Sequence, residues 1–194
     1  SGRRLVMGFM AAAAVLSMWI SNTATSLMLL PVALALLDGA ENRSKLAPPL
    51  LLGIAYAASI GGLGTPIGTP PNLIFMQVYK ETTGQSISFT QWMRWALPVV
   101  VLLVPAMALV HTRNLQGSLA LKLPKVGPWQ PQERRVMIIF GLTALAWITR
   151  GEPFGGWQAW LNLPSANDAS VALLAVVLLS VWSLLLSNYT EVLV

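Results

Sequence analysis

The 194-residue sequence predicts an all-α integral membrane protein in which two apolar segments are interrupted at membrane depth. Three observations carry that expectation. Apolar residues make up 55% of the chain and charged residues only 10%, where a soluble domain carries about 25% charge. The apolar residues are gathered in segments of helical length, separated by short polar stretches. Residues 59–72 read S-I-G-G-L-G-T-P-I-G-T-P-P-N, four glycines and three prolines in fourteen residues inside apolar sequence. Proline removes a donor and glycine costs helix entropy, so this stretch breaks a helix. Irregular backbone at membrane depth is tolerated only where protein or a polar cavity satisfies its hydrogen bonds.

Residues 5–20 and 24–37 are two apolar arms around Ser21-Asn22-Thr23. As helices they are about 24 and 21 Å long, too short for a hydrocarbon core of about 30 Å. A re-entrant hairpin over 5–37, with the polar triplet at its tip, fits better than one span. Pro31 kinks its second arm or is satisfied locally. Residues 38–45 form a charged loop. Pro48 and Pro49 occupy a first helical turn, where proline is accepted, and open a broken helix over 48–79. Trp92 and Trp95 mark an interface before an apolar span over 95–110, with Pro98 in its first turn and Pro105 at a kink. Residues 112–135 are a polar linker. Residues 136–148 are apolar, 149–167 are a loop carrying Trp157 and Trp160 at the interface, and 169–186 are eighteen residues without a charge.

The net charge of +5 comes from twelve basic and seven acidic residues. The basic residues lie between apolar segments rather than on a basic face interleaved with aromatics, so nucleic acid is not an expected partner. With the hairpin and single crossings thereafter, Arg3, Arg4, Arg43, Lys45, Arg113, Lys122, Lys125, Arg134 and Arg135 share one side. Lys80, Arg94 and Arg150 lie opposite. Under the positive-inside rule the first side, with the hairpin opening and the 112–135 linker, is cytoplasmic. A single crossing by the first segment weakens the bias to seven against five. No cysteine is present, which excludes disulfides and thiolate metal sites. The one histidine, His111, ends an apolar run and reads as interfacial.

The chemistry sits at the two interruptions. Ser21, Asn22 and Thr23 offer hydroxyls and an amide in apolar surroundings, and Ser17 lies one turn earlier on the same helical face. Neutral oxygens of this kind suit a hard cation such as Na⁺, and the N–H groups of a helix starting near Ala24 suit an anion. Asn72 offers the equivalent at the second interruption. Each residue also has a plain structural reading. Ser17 is a packing or back-bonding serine, the triplet a helix cap, and Gly61, Gly62 and Gly64 a close helix contact. Two polar interruptions in mid-segment weigh toward a site. The glycine-rich stretch lacks the lysine of a phosphate-binding loop, and no carboxylate lies in the apolar spans to build a proton relay.

These residues resemble the divalent anion:sodium symporter family, the sodium-coupled dicarboxylate and citrate carriers. The resemblance rests on W-I-S-N-T-A-T at 19–25, Leu30-Pro31 shortly after, and G-I-A-Y-A-A-S-I-G-G-L-G-T-P-I-G-T-P-P-N-L-I at 53–74. It runs from Ser1 to about Leu179. It implies an inverted-repeat transporter fold and a homodimer in the cytoplasmic (inner) membrane, multi-pass, working by an elevator motion. The coupling ion is Na⁺, there is no other cofactor, and the cargo is a di- or tricarboxylate or a sulfate-like anion. By resemblance, Ser17, Ser21, Asn22 and backbone near Gly68 hold sodium. Asn22, Thr23 and Thr69 face a substrate carboxylate, and Gly61, Gly62, Gly64, Pro70, Pro71 and Asn72 support the site. Residues 1–111 are then the later part of the first repeat, and 136–194 the start of the second.

A complete member carries a second Ser-Asn-Thr tip, and Ser187-Asn188-Tyr189-Thr190 departs from it. Beyond Leu179 the family pattern is not expected to continue. The expectation is a truncated chain that inserts in lipid but does not transport by itself. The alternative is a membrane-embedded structural or interaction protein that moves nothing. A channel is disfavoured for want of a repeated filter-like element. An enzyme is disfavoured for want of a nucleophile, base and orienter together.

Overall fold

The computed structural model describes residues 2–40, 42–115, 127–151 and 155–191, with side chains described as far as Val181. All regular secondary structure among them is helical: α1 (Gly2–Ser17), α2 (Asn22–Asp38), α3 (Arg43–Gly61), α4 (Pro70–Thr83), α5 (Phe89–Thr112), α6 (Pro131–Ile148), α7 (Gly156–Trp160) and α8 (Asp168–Glu191). The chain divides into two compact units, Ser1–Pro124 and Lys125–Val194.

In the first unit α1 is central, packed against α2, α3 and α5. Its alanines let neighbours approach closely. Val6, Met10, Ala13 and Ala14 meet Ala33 and Leu37 of α2, Leu46, Leu50, Ile54 and Ala57 of α3, and Ala108 of α5 in one buried cluster. The closest approach is at Gly61, where a Cβ would run into the backbone of Ala14. Nothing larger than glycine fits there, and this contact brings the end of α3 against the end of α1.

Several boundaries differ from the sequence expectation. Asn22 and Thr23 lie in the first turn of α2, and the interruption is residues 18–21. The charged loop shrinks, because Asp38 closes α2 and Arg43 opens α3, joined by a 2.6 Å ion pair. Both side chains are mostly exposed, so the pair contributes little. Pro48 and Pro49 therefore lie inside α3 rather than in its first turn. The carbonyls they leave without a donor are those of Ser44 and Lys45, near the helix start, while buried Leu46 and Leu50 anchor the turn around them.

The span expected from residue 95 begins at Phe89. Ser88 caps it, its Oγ accepting from the Gln91 N–H at 3.1 Å, and Pro98 becomes interior like Pro105. Its 24 residues reach about 36 Å, and it is the one helix among the described residues long and apolar enough to cross a membrane. Val101 and Leu102 are 65% and 71% exposed, an outward apolar face suited to lipid.

The second unit differs in its linker and loop. Helix begins at Pro131, inside the expected 112–135 linker, where the Gln130 N–H donates to Glu133 Oε2 at 3.0 Å. Residues 116–126 of that linker lie outside the described residues. The expected 149–167 loop contains the short helix α7. Trp157 Nε1 donates to the Ala146 carbonyl at 2.8 Å, and Arg150 Nε pairs with Asp168 at 2.8 Å, so this connection is tied to α6 and α8. The last helix starts at Asp168 and continues to Glu191.

Candidate functional site

The two interruptions of the first unit meet. At the end of α1, Ser17 is fully buried, and its Oγ donates to Asn22 Oδ1 at 2.5 Å across the 18–21 turn. Ser21 caps α2, its Oγ accepting from the Ala24 N–H at 3.2 Å, because serine at this position satisfies an orphan donor. α3 ends at Gly61, and the chain runs irregularly to Thr69, which precedes α4 in extended conformation (φ −148°, ψ 143°). Pro70 and Pro71 then open α4, where their missing N–H groups cost nothing.

Three contacts sew the loop to the hairpin. A Cβ on Gly62 would collide with Asn22 Oδ1. A Cβ on Gly68 would lie 2.5 Å from the Gly62 carbonyl oxygen and 2.9 Å from that of Ser17. Thr65, fully buried, donates its hydroxyl to the Met18 carbonyl. Within the loop, Asn72 Nδ2 donates to the carbonyls of Gly62 and Thr65, both at 2.8 Å. Trp92 Nε1 of α5 donates to the Leu63 carbonyl at 2.8 Å. The side chains of Asn72, Thr65 and Trp92 here satisfy carbonyls that a continuous helix would have bonded itself.

Ser17, Asn22, Gly62 and Gly68 are thereby gathered in one place. The oxygens of Ser17 Oγ, Asn22 Oδ1 and the Ser17 and Gly62 carbonyls crowd together, with no charged residue in 17–25 or 59–72. Such a cluster of neutral acceptors attracts a cation without a fixed counter-charge. Gly61 serves packing against Ala14, and Gly64 rests against the Met18 side chain. Thr23 is exposed and Thr69 half-buried. The Asn72 backbone N–H is spent on the Thr69 carbonyl at 3.1 Å and its side-chain amide on the loop, so Asn72 is a brace rather than an anion donor. His111, in the last turn of α5, stands edge-on to Tyr56 with Nδ1 3.0 Å from the Met107 carbonyl.

Sequence reasoning did not single out Thr65, whose only signal is its place in the G-T-P repeat. It also missed the Trp92 hydrogen bond, having read Trp92 as an interfacial marker.

A family model described as citrate transporter matches residues 1–188. The chain belongs to the citrate transporter family. The match runs past Leu179, correcting the expectation that the family pattern stops there, and α8 crosses that point without interruption. The sodium-dependent dicarboxylate transporter of Staphylococcus saprophyticus is 35% identical over 91% of this chain and 37% of its own length. Its counterpart in Staphylococcus aureus strain RF122 is 34% identical over 93% of this chain and 38% of its own. The chain therefore spans under two-fifths of the length of the curated relatives it matches. Family members are transporters, which makes this a membrane protein.

Proposed function

We propose that the chain forms a sodium- and anion-binding part of a sodium-coupled carrier for di- and tricarboxylates or related divalent anions such as sulfate. The observation that carries this reading is the meeting of Ser17 Oγ, Asn22 Oδ1 and the Ser17 and Gly62 carbonyls at two helix interruptions that hold no charge. Ser17, Asn22 and backbone at Gly62 and Gly68 hold Na⁺. Ser21 joins them through the lone pair its cap leaves free. Asn22, Thr23 and Thr69 receive one carboxylate of the substrate, helped by the positive end of the α2 dipole.

The arrangement couples ion to anion. A cation about 5 Å from a carboxylate contributes about 3 kcal/mol at an effective dielectric constant of about 20. Each ligand then strengthens the other by roughly 100-fold, and the coupling is reciprocal. In the bilayer, α1 and α2 form a re-entrant hairpin opening to the cytoplasm and α5 closes the first repeat. A cytoplasmic linker between α5 and α6 leads to α6 and α8, the opening of the second. The carrier is a homodimer, multi-pass in the inner membrane. The nine-to-three bias of basic residues and the packing of both short arms on α3 support that topology.

The test is calorimetric titration of succinate, citrate and sulfate into the purified protein with and without sodium. One of the anions binds only when sodium is present. Asn22→Ala lowers sodium affinity by about 5- to 150-fold, the cost of leaving buried partners unpaired, and Ser17→Ala lowers it less. Anion binding indifferent to sodium, or an Asn22→Ala protein with unchanged sodium affinity, sinks the proposal.

A further inference from the structure

Thr25 lies in the second turn of α2, fully buried, and its Oγ1 has no hydrogen-bond partner. No other described side chain is recorded in that state. A buried hydroxyl without a partner is costly, and a threonine in a helix has an easy remedy, the carbonyl four residues back. Elsewhere this chain uses that remedy repeatedly. Thr82, Thr83, Thr112, Thr143 and Thr149 donate to the carbonyls of Val78, Tyr79, Ala108, Ile139 and Leu145 at 2.6–2.8 Å. For Thr25 the equivalent carbonyl is that of Ser21. It accepts the Thr25 backbone N–H, at 2.9 Å, but not the Thr25 hydroxyl.

Which face of α2 carries Thr25 follows from helix geometry. Residues 22, 25, 29 and 33 share one stripe of α2, at spacings of three and four. Asn22 heads that stripe beside Gly62, and Leu29 and Ala33 continue it into the packed cluster with α1 and α3. A helical side chain leans back over the turn that precedes it. For Thr25 that turn carries Ser21 and Asn22, so Thr25 belongs to the same buried face of α2 that Asn22 heads. The Ser17 hydroxyl donates to Asn22 and the Ser21 hydroxyl accepts from the Ala24 N–H, whereas the Thr25 hydroxyl makes no hydrogen bond at all.

We propose that Thr25 Oγ1 is a further ligand of the monovalent cation, closing the cluster from the side away from the substrate. Its neighbours in the cluster are acceptor oxygens, whose lone pairs suit a cation and repel a carboxylate. The unpartnered state is then the ion-free state of a ligand: the hydroxyl is held desolvated and pre-positioned, and the ion recovers the cost. This rests on the reading of the cluster as a cation site.

The experiment compares wild type, Thr25→Val, Thr25→Ser and Asn22→Ala, purified in detergent with no dicarboxylate present. Each is melted with and without sodium chloride, choline chloride balancing ionic strength, and each is titrated with sodium. Valine keeps the shape and removes the hydroxyl. Without sodium, Thr25→Val melts higher than wild type, because an unpaired hydroxyl has become a methyl. With sodium it gains little, and its sodium affinity falls roughly tenfold, the order expected for one hydrogen-bonding oxygen facing a charge. Thr25→Ser restores the sodium gain. A Thr25→Val protein with the sodium affinity and sodium-induced stabilisation of wild type overturns the proposal, even where Asn22→Ala is impaired. An equal shift of melting point with and without sodium also overturns it, since that is the signature of packing or of a buried water. If wild type itself shows no sodium response, the cation reading of the whole cluster fails with it.

Discussion

A hydroxyl, an amide and two carbonyls make up this site, and glycines let them meet. Gly61 is the tightest case. Replacing it with alanine adds about 1 kcal/mol of helix propensity but drives a methyl group into the Ala14 backbone, which cannot rotate away as a side chain would. Overpacking of this kind costs about 1–3 kcal/mol, so steric cost wins. Gly61→Ala is expected to lower the melting point and, by separating α1 from α3, to weaken sodium binding as well. A variant that melts at or above wild type would show that the two helices part without strain. Ser17 and Asn22 were legible in the sequence because polar residues in apolar runs are expensive and therefore conspicuous. Thr25 was not, because a lone threonine in a helix is ordinarily satisfied by its own backbone. Only the structure shows that Thr25 is the exception.

At the scale of elements, the sequence located the interruptions better than the helix ends. Proline and glycine mark where a helix must break, and residues 59–72 did so unambiguously. Ends are harder, since polarity does not stop a helix whose caps and backbone bonds are in place. Hence α5 begins at Phe89 under a Ser88 cap, through the polar stretch that follows. In α3, Arg43–Lys45 precede two prolines without unwinding. The pairing of α1 with α2 carries a prediction about topology. In the proposed hairpin both arms open to the cytoplasmic side, so cysteines placed at Arg3 and Asn42, both exposed, are expected to react with an impermeant maleimide from the cytoplasmic face of sealed vesicles. Labelling of the two positions from opposite faces would replace the hairpin with a single crossing.

The molecule as a whole exposes apolar surface that water would not tolerate and lipid would. In the first unit this is the outer face of α5, and in the second it includes Leu142, Leu173 and Val176, each more than half exposed. Composition made the membrane class legible, and family membership, through the 1–188 match, agrees with it. The boundary between the two units, after Pro124, falls within residues 112–135, the stretch that stands out in the sequence as a polar, proline-bearing linker. The central claim is that Ser17 and Asn22, joined by one short hydrogen bond, act on a single ion. The most direct measurement is equilibrium binding of labelled sodium, without dicarboxylate, to wild type, Ser17→Ala, Asn22→Ala and the double variant. Ligands of one ion are coupled, so the double variant is expected to lose less binding free energy than the two single losses added together, with an interaction of about 0.5–3 kcal/mol. Strictly additive losses, or a double variant that binds sodium as wild type does, would contradict the account.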